Sequence, residues 1–168
     1  MFIDMATPFE HRHPSEHSAD DLWKALNTPF TGDVADAVYP WFNVSYALLD
    51  ESRIGEGTRI RYAPNAALIS KLGSFADAFP ELPFTVEELS DDDMRRVEVL
   101  KVDKAEGRLT RRVEEAEGGS GLLVVEGVLA VKGFMGSVAE GPAIKYAIER
   151  PGQQLVEHIP DIIRQADA

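Results

Sequence analysis

GLLVVEGVLAVKG, residues 121–133, carries apolar side chains on both faces of one extended run, with Leu122, Val124 and Val128 opposite Leu123, Val125, Leu129 and Val131. Such a segment reads as a long strand over residues 122–132. After Gly136 the spacing changes from two to between three and four. Val138, Ile144, Ala147, Ile148, Leu155, Ile159, Ile162 and Ile163 then form an apolar helical face that runs nearly to the end of the chain. Pro151 and Gly152 are placed to kink or split that helix. A long strand handing over to a long terminal helix is the frame on which the rest is arranged.

Working back from this frame, strands are predicted over residues 84–89, 95–102 and 108–115. Polar or Gly-rich turns at Asp91-Asp92-Asp93, 104–107 and 118–121 join them into a meander of hairpins. Residues 44–50 and 57–63 read as two further strands, linked by the polar segment 51–56. Between the groups, Leu68, Ile69, Leu72, Phe75, Ala76 and Phe79 predict an amphipathic helix over 66–79, with Gly73 as an interruption. At the start, Phe9, His11 and His13 alternate with charged residues as a first strand ended by Pro14. Ser18 caps a helix over 18–27 with Asp21 at its third position, and a second short helix over 33–39 is stopped by Pro40.

No linker, repeat or low-complexity stretch divides the 168 residues, so one domain is expected over 1–168. The net charge of −12 disfavours nucleic acid and anionic lipid as partners. With no cysteine there are no disulfides, thiol nucleophiles or Cys-based metal sites, and a reducing, cytoplasmic setting is the expectation. Residues 1–14 lack the basic start and apolar run of a signal peptide, and no window is long and apolar enough to span a membrane.

The order of elements (strand, two short helices, antiparallel strands, long terminal helix) resembles the START-like or SRPBCC superfamily. Three stretches carry the likeness: HSADDLW (17–23), IGEGTRIRY (54–62) and GLLVVEGVLAVKG with the helix after it. Within the superfamily the chain is more similar to bacterial members without an assigned activity than to any named enzyme. The resemblance implies an α+β helix-grip (START/Bet v 1-like) fold, a curved antiparallel sheet around the terminal helix with a hydrophobic cavity between them. It implies no cofactor, and the superfamily has no shared catalytic motif from which a catalytic residue carries over.

In such a fold, polar groups on apolar faces are the ones to question. Arg111 shares a strand face with Leu109 and Val113, so an inward guanidinium needs a neighbouring acid or an anionic ligand group. Tyr46 and Tyr62 sit on the apolar sides of their strands, and Trp41 and Phe84 add aromatic wall; Trp23 reads as structural. His158, between Leu155 and Ile162, either faces the cavity as an acid–base group or donates to a carbonyl at the boundary. His11 and His13 share a face, but a metal would need a third ligand such as Glu98 or His158, so no metal is expected. If residues 68–79 cover the cavity mouth, Phe75 belongs to a lid; otherwise the segment is core. The candidate ligand site is therefore Tyr46, Tyr62, Phe75, Phe84, Arg111 and His158. The apolar outer face of residues 122–132 calls for a cover, either the inserted helix or a second copy of the chain in a homodimer.

Three functions remain open. The first is a carrier or sensor of a hydrophobic molecule of lipid, polyketide or isoprenoid type. The second is a cyclase, aromatase or dehydratase acting in the same cavity. The third is a protein-interaction module resembling chaperone cofactors, marked by an exposed apolar patch and no cavity.

Overall fold

The computed structural model of the protein describes residues 6–49, 52–73, 81–132 and 141–167. Seven antiparallel strands form one sheet in the order β1-β7-β6-β5-β4-β3-β2. They are β1 (Phe9–Ser18), β2 (Phe42–Ala47), β3 (Arg59–Pro64), β4 (Leu82–Ser90), β5 (Arg95–Val102), β6 (Ala105–Glu115) and β7 (Ser120–Val131). Helices α1 (Ala19–Leu26) and α2 (Gly32–Val38) follow β1, and α3 (Ala66–Leu72) follows β3. The terminal helical segment carries a π turn over Ile144–Glu149, then α4 (Arg150–Glu157) and α5 (Ile159–Ala166).

The predicted meander is present, and β5 has the predicted bounds. Three prolines expected to lie outside strands lie within them, Pro64 as the last residue of β3, paired with Phe42. Pro14 pairs with Leu122, and β1 continues past it through a register shift to Ser18. The strand tolerates Pro14 because β1 is a sheet edge, where a missing N–H costs no ladder bond. Pro83 likewise sits inside β4, opposite Arg61. The helix expected over 66–79 stops at Leu72, where Gly73 turns the chain at φ +58°; Phe75 and Phe79 lie outside the described residues.

The terminal helix breaks at a different place from the one predicted. Pro151 opens α4 directly after the π turn, in the first-turn position where its missing N–H is tolerated. The break falls instead at His158, with backbone angles of φ −115° and ψ 17°, just before Pro160 in the first turn of α5.

Helix α1 starts as expected: the Ser18 side chain accepts from the Asp21 N–H at 3.1 Å. Leu22 seats it on β7 at Gly121, where an added Cβ would stand 2.9 Å from Leu22 Cδ2. Trp23 is structural, its indole N–H donating to Asp91 at 2.9 Å. The core lies between the inner sheet face and helices α1, α2 and α4, with Leu22, Ile60, Leu68, Phe84, Leu109, Leu123, Ile148 and Ile159 fully buried.

Val124 points outward yet has no exposed surface, and its cross-strand neighbours are Arg12 on β1 and Arg112 on β6. The heads of these arginines pair with Glu10, Glu114 and Glu126. Leu122 and Val128 on the same face are only partly buried.

Candidate functional site

The hairpin of β5 and β6 places Arg96 directly opposite Arg111 on the inner face. Two guanidiniums in that position repel unless an acid stands between them. Glu98, one step along the same face, supplies it. Its Oε2 accepts from Arg111 Nε at 2.5 Å and from Arg96 Nε at 3.3 Å. Arg96 Nη1 is completed by neutral acceptors, the Leu26 carbonyl at 2.8 Å and Asn27 Oδ1 at 3.0 Å. All three residues are removed from water, with exposures of 3% for Arg96, 0% for Glu98 and 4% for Arg111.

Aromatic residues close over this group. The Tyr62 ring lies 5.9 Å from Phe84 and 5.5 Å from Tyr39, and Tyr39 stacks on Phe30 at 6.0 Å. Burial raises the Tyr62 pKa, reinforced by Tyr39, so its hydroxyl is protonated at neutral pH. Burial likewise raises that of Tyr46, whose hydroxyl is enclosed although part of the residue remains accessible. For Arg111, burial alone favours loss of the proton, but Glu98, Tyr62 and Tyr39 outweigh it and the net direction is upward. The guanidinium stays charged. Its Nη2 has no hydrogen-bond partner among the described residues.

Between these side chains and the helices lies a void bounded by Leu26, Phe30 and Tyr39 on the α1–α2 side. Tyr46, Ile60, Tyr62, Arg96 and Arg111 bound it on the sheet, and Pro151, Gly152 and Leu155 on α4. Its volume is about 10 Å³, room for the centre of roughly one water-sized group. The spacious hollow expected from the sequence is therefore corrected: three tyrosines, Phe30 and two arginines project into the space and fill it.

Of the candidate residues, Tyr46, Tyr62 and Arg111 come together at this void. Phe84 does not reach it and instead lies beneath Tyr62 as core. His158 faces the other side of the helix, in a surface hollow with Asp33 and Arg164, and its Nδ1 lies 2.8 Å from the Gln154 carbonyl. It is the boundary histidine of the two readings. Phe75 lies outside the described residues. Arg96 is not among the residues expected from the sequence; its cross-strand register with Arg111 is the signal that turns it inward.

A second, open depression of about 790 Å³ runs between β1 and α4, lined by His11, His13, His17, Glu149, Gln153 and Glu157 among others. His13 is only 8% exposed and its Nε2 has no partner among the described residues. Its ring lies against Gly152, where a Cβ would stand 2.8 Å from Nε2. Burial lowers its pKa, helped by His11 and Arg111 and opposed by Glu149, so the ring is neutral at pH 7. No set of three metal-ligating side chains gathers among the described residues, and none of the described helices is long and apolar enough to cross a membrane.

A curled antiparallel sheet closed by a terminal helical segment defines the α+β helix-grip, START/Bet v 1-like fold. Solved structures agree. The crystal structure of Ara h 8.0201 matches at TM-score 0.62 and 10% identity, covering 93% of this chain and 99% of that one. Norcoclaurine synthase from Thalictrum flavum, in complex with dopamine and hydroxybenzaldehyde, matches at TM-score 0.65 and 12% identity, covering 93% and 87%. A truncated form of that synthase matches at 0.58 and 13%, covering 94% and 93%. No protein-family model and no curated protein sequence matches the chain.

Proposed function

We propose that the chain binds a compact, mainly apolar small molecule between the inner sheet face and helices α1, α2 and α4, as a carrier or sensor. The observation that carries this reading is the void at Arg111. A buried, charged group with a free hydrogen-bonding nitrogen is costly in an apolar interior, and here it borders a gap walled by aromatic and aliphatic side chains. Ligand sites have this composition, a few fixed polar groups in an apolar wall. The fold is also one in which norcoclaurine synthase holds dopamine and hydroxybenzaldehyde.

The ligand body requires more room than the closed void, so Leu155 and the Pro151–Gly152 turn of α4 move outward on binding. That turn presents little side chain to the void. Binding is favoured over turnover because His158, the acid–base candidate of the sequence, faces away from the site. Native mass spectrometry of freshly purified protein tests the reading. The expected result is a co-purified adduct, or uptake of 2-naphthylmethanol, that Leu155→Trp abolishes by filling the void. Neither adduct nor uptake at millimolar probe would refute it.

A further inference from the structure

The charges gathered at the void do not balance, and Glu106, the other buried carboxylate, lies on the opposite face of β6. Arg96 and Arg111 bring two positive charges, and Glu98 is the one carboxylate that touches either of them inside the core among the described residues. The remaining contacts of Arg96 are neutral carbonyl oxygens. His13, the nearest further titratable group on β1, is neutral, and Glu149 faces the open depression beside His11. Among these residues, one unit of positive charge is left without a partner. Glu98 is not among the residues bounding the void, whereas both guanidiniums and the tyrosines are. A group entering the void thus meets cations and hydroxyl donors, with the carboxylate behind them.

On this basis we infer that the ligand of the proposed site carries a carboxylate, seated on Arg111 Nη2 with the Tyr62 and Tyr46 hydroxyls as further donors. One anionic oxygen fits the void, satisfies the free nitrogen and neutralises the cluster of Arg96, Glu98 and Arg111. A ligand hydroxyl would satisfy the nitrogen and leave the charge. Charge-assisted hydrogen bonds are about twice as strong as neutral ones, and the interior screens them little. The inference rests on the binding reading above and narrows it to apolar acids.

Three probes of matched shape and one small anion test it by isothermal titration at pH 7.5: 2-naphthoate, 2-naphthylmethanol and naphthalene, with sodium acetate as the anion. The inference predicts that 2-naphthoate binds at least tenfold tighter than 2-naphthylmethanol. It also predicts that Arg111→Met weakens 2-naphthoate at least tenfold more than it weakens 2-naphthylmethanol. Arg111→Met leaves Glu98 paired with Arg96, so the cluster becomes neutral without an orphaned acid; the wild-type comparison decides alone if that variant does not fold. Equal or weaker binding of 2-naphthoate overturns the inference and leaves the binding reading standing. Acetate binding as tightly as 2-naphthoate overturns it in favour of a free small anion. Failure of all four probes overturns both.

Discussion

Arg111 and Arg112 are neighbours on one strand, and each pairs with glutamate, yet they stand in different physics. The Arg112 side chain is 27% exposed and bonds Glu126 and Glu114 on the outer sheet face, with the partner carboxylates 43% and 42% exposed. Arg111 and Glu98 face inward with almost no exposure. On the outer face water screens the pairs and competes for them, so the ladder from Glu10 through Arg12, Glu114 and Arg112 to Glu126 adds little to stability. On the inner face each charge depends on the others, and what they leave unsatisfied is available to a ligand. One residue of register separates a solvated ion-pair ladder from the buried cluster of the proposed site.

The sharpest way to break this comparison is to remove the shared acid. Glu98→Ala strands two guanidiniums in the core and is expected to lower unfolding free energy by about 3–5 kcal/mol in urea melts. A loss under 1 kcal/mol would mean that water reaches the inner group. Next in size is a pH effect from His13. Its folded pKa lies below the unfolded value of 6.5, so the unfolded chain binds the extra proton first. Its contribution to stability is therefore complete above that value and is lost as pH falls below it, by about 1.4 kcal/mol per unit of pKa difference. Urea midpoints measured between pH 7.5 and 5 should fall less in His13→Asn than in the wild type.

A smaller effect is expected at Gly152, where His13 closes against the helix backbone. Gly152→Ala should cost about 1 kcal/mol by overpacking, and in a His13→Ala background should instead gain up to about 1 kcal/mol from helix propensity. Smallest of all is the outer face. Arg112→Ala is expected to cost less than about 1 kcal/mol, a difference that shrinks further in 1 M salt.

The same asymmetry explains what the sequence made legible. Hairpin order, the Ser18 cap and the inward phase of Arg111 follow from local turn chemistry and period-two alternation, which need no knowledge of distant contacts. Arg96 was hidden because its face of β5 looks polar beside Val97, and only pairing with β6 shows that it points inward. The size of the cavity was hidden for a related reason. Fold resemblance implies a hollow, but the rings of Tyr39, Tyr46, Tyr62 and Phe30 decide whether it is filled. The break at His158, displaced from Pro151, depended on the π turn, which lets the helix take in that proline without stopping.

Backbone amide chemical-shift mapping with 2-naphthoate tests the central claim most directly. The account predicts that the largest shifts fall on Tyr46, Tyr62, Arg96, Arg111 and the 151–155 turn, converging on the inner sheet face and α4. Shifts confined to His11, His17 and Glu157 along the open depression, or none at saturating probe, would contradict it.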